Sequence, residues 1–359
     1  MSEEPPNNNE SEEKPIATTA ESRKIEEKVP AIDPYEKLKI SLNPDGSITR
    51  LAEVLLVPPT TEEEMSLPGM SVVTKDVALN AENETWVRIY RPLELPSDDD
   101  TDVARLPIIV YFHAGAFILF SADNVFDNEP CTRYCNELHA IVISVNFRLA
   151  PEHRLPAAYE DGADAILWLK NQAIDPNGEQ WLRDYADFSR CYMLGTSTGA
   201  TIAYYTALRA AGMDIEPVKL AGLVLNQPVF SGTKKLKSER KYKNDMIIPT
   251  PALDLMAELA LPEGSDHDHE CLNPKTKSPY YGNIRKLPRC LVRGFEGDPL
   301  LDRQLELVRL LIRHSVPVTA HFSEFGFHLI DFIDPKKHLS LLGYLREFIQ
   351  KSHSDEFDI

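Results

Sequence analysis

A serine, a carboxylate and a histidine occur in this chain in the order, and on the kinds of loop, that acyl-transfer chemistry needs. Residues 194–200 read Leu-Gly-Thr-Ser-Thr-Gly-Ala, which puts Ser197 at the centre of a G-x-S-x-G pentapeptide. A short apolar run from Arg190 to Leu194 precedes it, and a helical run from Thr201 to Leu208 follows it. On a strand-turn-helix the two glycines permit a sharp turn that lifts the serine hydroxyl above the sheet edge. The helix behind aims its positive end at negative charge developing there. A serine nucleophile needs a base, and the base needs an orienting acid. Asp298 lies on the loop after a strand-like run from Arg289 to Phe295, facing the same sheet edge. His328 follows the alternating run Val318 to Ser323, on a loop that contains Gly326. Ser, then Asp, then His is the chain order such nucleophile turns use. Asp302 is the rival acid, but its place inside the next helix points to capping or loop support.

A fourth element would bind the oxyanion. The apolar strand Pro107 to Phe112 runs into His113-Ala114-Gly115-Ala116-Phe117. Small residues there let two backbone N–H groups approach a substrate carbonyl oxygen, with the N–H of Thr198 as a third donor. The elements that must position these groups are strands over 86–90, 107–112, 140–145, 190–194, 220–225, 289–293 and 318–322. Helices are expected over 157–171, 199–211, 301–313 and 337–351. Strands alternating with helices in this way predict an α/β fold, a mainly parallel sheet covered on both faces.

The chain resembles the plant carboxylesterases of the hormone-sensitive-lipase-like group, in the α/β-hydrolase superfamily. The likeness rests on His113 to Phe117 against HGGGF, Arg148 to Asp161 against RLAPEHxxPAAxxD, and Gly195 to Ala200 against GDSSGG or GESAGG. It continues with Gly297 to Leu300 against the acid loop and Gly326 to His328 against the histidine loop, and covers roughly residues 33–350. The resemblance implies the α/β-hydrolase fold with a helical cap. It implies Ser197, Asp298 and His328 as a catalytic triad, an oxyanion hole of the N–H groups of Gly115, Ala116 and Thr198, and no cofactor. It implies hydrolysis of a small carboxylic ester through an acyl-serine, in plant specialised metabolism. Related scaffolds also serve as lyases, cyclases or dehydratases and as hormone receptors. The receptors lack the histidine, so His328 argues against a pure receptor. Alanine replaces glycine at 114 and 116. Where the backbone needs φ > 0, that costs on the order of 1 kcal/mol, and the methyls narrow the carbonyl site.

Composition bounds the remainder. The 359 residues, 43% of them hydrophobic, suffice for one large domain, and the net charge of −18 disfavours nucleic acid and anionic membrane surfaces. The partner expected is a small-molecule ester or specialised metabolite. Five cysteines without framework spacing suggest reduced thiols. The acidic N-terminus has no apolar export core, so a cytoplasmic address is expected. Residues 1–30 read as a disordered acidic tail, ahead of an α/β-hydrolase domain over 31–359. Residues 31–70 and 231–273 are expected to form the cap, with 58–70 a mobile connector and Lys234 to Lys241 a solvated face. His267-Asp268-His269-Glu270 offers metal-ligand types, but adjacent side chains diverge, so no metal site is expected. Trp86, Trp168 and Trp181 are placed in a strand, a helix and a loop.

Overall fold

The computed structural model describes residues 1–2, 32–95, 97–98, 102–103 and 105–350. Apart from Met1 and Ser2, the expected N-terminal tail lies outside the described residues, as does residue 351 of the expected last helix. The compact unit that carries every described strand and helix begins at Ile32.

Eight strands form the main sheet: β1 (Val72–Asn80), β2 (Thr85–Pro92), β3 (Leu106–Phe112), β4 (Ile141–Asn146), β5 (Ala186–Thr196), β6 (Leu220–Asn226), β7 (Cys290–Arg293) and β8 (Val318–His321). Their spatial order is β8-β7-β6-β5-β3-β4-β2-β1. The six strands from β3 to β8 pair in parallel, and only β2 runs against them. The seven expected strands are all present. β1 was not foreseen, because Thr74, Lys75 and Asp76 break its apolar pattern. Those residues are satisfied by tertiary partners. The buried Arg88 on β2 forms a bidentate pair with Asp76 directly opposite it, at 2.7 Å on both oxygens.

β3 is buried along its whole length, as a parallel strand covered on both faces must be. Its side chains alternate between two apolar cores. Ile108, Val110 and Phe112 enter one core with helices α2 (Ala157–Ile174) and α3 (Thr198–Ala210). Ile109 and Tyr111 enter the other with α1 (Val125–Glu137) and α6 (Pro335–Gln350). Between them in the chain come α4 (Thr250–Ala260) and α5 (Leu301–Arg313). Every residue of α3 is buried, so the helix behind Ser197 lies inside the molecule. It can lie against α2 because position 162 is glycine: a Cβ there would sit 2.1 Å from Thr206 Oγ1.

α1 escaped the sequence reading because Pro130 stands inside it. Its first turn is held by Asn124, whose side chain accepts from the N–H groups of Phe126 and Asp127. Trp181 corrects another expectation: it lies in the helix Gln180–Tyr185, under the ammonium of Lys75, not in a loop. Residues 58–70 contain a one-turn helix, Glu64–Ser66, fastened by Glu64 to Thr61. The stretch expected to be a solvated face is divided. Lys234, Lys237, Arg240 and Lys241 are exposed to differing degrees, while Ser238 and Glu239 are buried. All five cysteines are buried and unpaired, and burial pushes the Cys191 thiol up to about 12.

Candidate active site

β5 ends at Thr196 and α3 begins at Thr198, so Ser197 occupies the turn alone. Its backbone is held at φ 57° and ψ −124°, which a non-glycine residue adopts only under compulsion from its surroundings. The compulsion comes from the flanking glycines. A Cβ at Gly195 would stand 2.2 Å from the carbonyl oxygen of Gly199, and a Cβ at Gly199 would stand 2.1 Å from that of Phe112. Only bare backbone lets strand, turn and helix come this close.

His328 is buried on the loop between β8 and α6, with its Nε2 2.8 Å from Ser197 Oγ. Its Nδ1 is 2.9 Å from Asp298 Oδ2, on the loop between β7 and α5. An ionised carboxylate only accepts, so Nδ1 carries the proton and Nε2 is free to accept the serine hydroxyl. Burial pulls His328 toward the neutral form while the Asp298 charge and hydrogen bond push the other way. The carboxylate prevails, and the pKa lies above the ordinary histidine value of 6.5. The Asp298 carboxylate is fixed in turn by the Leu300 N–H, which donates to Oδ1 at 2.8 Å.

Asp302, the rival, faces away from this chain of hydrogen bonds. Its Oδ2 accepts the Ser238 N–H at 2.8 Å, and its own N–H donates to Ser238 Oγ at 3.1 Å. It therefore fastens the short helix Lys237–Lys241 onto the start of α5. Arg303 beside it pairs with the buried Glu239 at 3.1 Å.

The loop after β3 carries the other expected group. Gly115 sits at φ 129°, and a Cβ there would meet the Leu119 carbonyl oxygen at 2.2 Å. Ala116 and Phe117 follow at φ 59° and 64°. The backbone cost anticipated for the two alanines thus falls on Ala116; Ala114 has no positive φ. Among the described residues, the N–H groups of Gly115, Ala116 and Thr198 donate to no turn, loop or side-chain partner. His113 underlies the loop. Its Nδ1–H donates to the Ala114 carbonyl at 2.6 Å, its ring stacks on Phe147, and burial lowers its pKa.

The relatives of this chain agree with such a site. An alpha/beta hydrolase fold model matches residues 109–331. A probable carboxylesterase of Arabidopsis thaliana, number 9 of its series, is 46% identical over 89% of this chain and 98% of its own. The chain belongs to the plant carboxylesterase family. It is a carboxylesterase-type serine hydrolase. A 3-O-acetylpapaveroxine carboxylesterase of Papaver somniferum is 42% identical over 88% of this chain and 99% of its own. An esterase structure from Pyrobaculum calidifontis superposes with a TM-score of 0.65 at 24% identity, over 80% of this chain and 85% of that one, which shows the shared fold.

In this carboxylesterase the RLAPEH block, noted in the sequence only as a family signature, is a junction. Arg148 pairs with the buried Asp161 of α2 at 2.7 Å. Glu152 takes Arg50 in a bidentate pair, and Arg50 also donates to the carbonyls of Ile118 and Ala150. Arg154 donates to the carbonyls of Glu258, Leu259 and Leu261, the C-terminal end of α4. One loop thus ties residues 31–70, the oxyanion loop and residues 231–273 together.

Sequence reasoning missed a second polar group beneath the histidine loop. Asp331 Oδ2 accepts from Asn226 at 2.8 Å, Gln227 at 3.1 Å and Arg293 at 3.0 Å. Gln227 also accepts the N–H of Leu329, next to His328, at 2.7 Å. These four polar side chains are scattered from the end of β6 to the one-turn helix Ile330–Phe332, so no local spacing could reveal them. The 267–270 segment is accounted for by loop bonding. Ser231 Oγ and His267 Nδ1 are 2.7 Å apart, Asp268 accepts from Asn273, and His269 accepts from the Cys271 N–H. Among the described residues no three His, Cys, Asp or Glu side chains converge as a metal would require, and no helix is long and apolar enough to cross a membrane.

Proposed function

We propose that Ser197, His328 and Asp298 hydrolyse a small carboxylic ester of plant specialised metabolism through an acyl-serine intermediate. The hydrogen-bonded chain from Ser197 Oγ through His328 to Asp298 carries this reading. Ser197 Oγ attacks the ester carbonyl carbon as its proton passes to His328 Nε2. The imidazolium is held by Asp298, and the oxygen that becomes negative is received by the N–H groups of Gly115, Ala116 and Thr198. The C–O bond to the alcohol breaks as His328 returns the proton to it. Water then repeats the attack on the acyl-enzyme and frees the acid and Ser197.

Residues 31–70 and 231–273 form the cap in this reading and choose the substrate. Their contact supports it: the short helix Pro34–Leu38 packs on α4. The acetyl ester named for the poppy relative supports a small acyl group. The test is labelling with a fluorophosphonate followed by mass spectrometry, alongside turnover of p-nitrophenyl acetate. Label on Ser197 with a burst and steady turnover is expected, and Ser197→Ala should lose both, with kcat down by about four orders of magnitude or more. A Ser197→Ala variant keeping a tenth of the activity would end the acyl-serine reading. Label without turnover would move the chemistry to a lyase or cyclase.

A further inference from the structure

Gln304 on α5 is buried completely, and its side chain lies against the acid of the site. Its Nε2 is 3.2 Å from Asp298 Oδ2, the same oxygen that accepts from His328 Nδ1. Its other neighbour is the Pro228 carbonyl oxygen at 3.5 Å. Both neighbours are acceptors, so the amide can face them only with its NH₂ end. The consequence is visible at the opposite end, where Gln304 Oε1 is buried with no donor among the described residues. Buried acceptors are rarely left so, and an exception calls for a reason. The chain also makes room for this residue. Position 294, just past β7, is glycine, and a Cβ there would stand 2.0 Å from Gln304 Oε1 and 2.8 Å from the Phe322 ring. A fully buried side chain whose own carbonyl finds no donor among the described residues is held there by what its NH₂ touches.

We propose that Gln304 is a positioning residue for the catalytic acid, which fixes the rotation of the Asp298 carboxylate and shares its charge with His328. This rests on the triad reading. With the Leu300 N–H on Oδ1, Gln304 completes a set of three donors around a fully buried carboxylate. A donor to the carboxylate matters most when the imidazole is neutral, because the imidazolium then no longer balances the charge. Removing the donor therefore makes the pair hold its proton more tightly. The acid limb of kcat/KM, which reports that proton, moves to higher pH. The other carboxylates acting on His328 are Asp245 and Asp331, and they are unchanged by the substitution.

The test is the pH–rate profile of Gln304→Leu and Gln304→Met on p-nitrophenyl acetate, with rates normalised to active sites titrated by the fluorophosphonate burst. For Gln304→Leu, kcat per titrated site should fall about tenfold with KM within about twofold, and the acid limb should rise by about half a pH unit or more. Gln304→Met keeps the length of the side chain without a donor, so its limb should rise as that of Gln304→Leu does. A Gln304→Leu enzyme with wild-type kcat per site and an unmoved limb would overturn the proposal. So would equal limbs in wild type and both variants, even with lowered melting temperatures, since that pattern belongs to a merely structural glutamine. Should Gln304→Leu not fold, the Gln304→Met limb decides alone. Ser197→Ala, run in parallel, tests the triad separately: retained turnover there would remove the triad reading whatever Gln304 does.

Discussion

The nucleophile turn and the loop after β3, proposed to hold the oxyanion, both depend on glycine, yet their backbones are constrained differently. In the turn, both glycines are imposed by contact: at Gly195 and Gly199 there is no room for a single extra carbon. The strained residue between them is Ser197 itself, at φ 57°. In the oxyanion loop only Gly115 is imposed in this way. Ala116 and Phe117 carry positive φ with side chains in place, and Ala114 needs no special conformation. The comparison teaches that a glycine signature mixes two requirements. One is steric approach, which tolerates nothing larger. The other is a left-handed backbone, which alanine meets at a cost of order 1 kcal/mol. That is why this chain can carry His-Ala-Gly-Ala-Phe while keeping both glycines around Ser197.

The largest effect should come from neither region but from Asp298, the carboxylate hydrogen-bonded to His328. Asp298→Asn is expected to lower kcat by about three to four orders of magnitude by fixing the wrong tautomer of His328. Asp302→Asn should cost only a few-fold in kcat and about 1 kcal/mol of stability, through the lost Ser238 bonds. Steady-state kinetics and thermal melts of the pair would separate them, and the reverse ranking would place the acid at Asp302.

Next come the glycines. Gly199→Ala should destabilise the fold by about 2–3 kcal/mol, because the methyl drives into the Phe112 carbonyl. Urea unfolding reads this directly. Gly115→Ala should spare the nucleophile and lower kcat about a hundredfold by displacing an oxyanion donor. A fluorophosphonate reaction slowed by far less than ester turnover would sharpen the distinction. Equal losses in both would erase it.

The same contrast predicts unequal alanines. Ala116→Gly relieves a left-handed residue and should raise kcat on p-nitrophenyl acetate by up to about tenfold, roughly 1.4 kcal/mol in the barrier. Ala114→Gly should leave kcat unchanged. An increase from Ala114→Gly alone would mean that the methyl, and not the backbone, limits the site.

The smallest effect is in pH. His328 has a folded pKa raised above 6.5, so its contribution to stability is complete below the unfolded value and fades as pH rises through the folded one. Catalysis needs the neutral ring, so kcat/KM should climb through that same window as the contribution fades. Parallel melts and rate profiles across the window would check the opposed signs, and Asp298→Asn should move the rate limb to lower pH.

Much of this molecule was readable before folding. Parallel β-strands buried on both faces must be apolar, and helices between them must repeat at their own period, so seven strands and four helices carried local signals. Ser197, Asp298 and His328 could be named because each follows such a strand, and strands in a parallel sheet deliver their ends to one edge. What stayed hidden was held by partners distant in sequence. β1 is a strand because Arg88 neutralises Asp76. α1 is a helix despite Pro130, because Asn124 caps it and the second core takes its apolar face.

The sequence by itself determined the fold class, the order of the reactive residues and the two glycines that let Ser197 stand out of its turn, since local sterics and periodicity decide these. Only the tertiary structure decided that Asp302 belongs to the Ser238 clasp, that Arg50 and Arg154 gather residues 31–70 and 231–273 onto one loop, and that Gln304 lies against Asp298. Hydrogen bonds between groups far apart in the chain depend on where the sheet brings them, and no spacing along the chain encodes that distance.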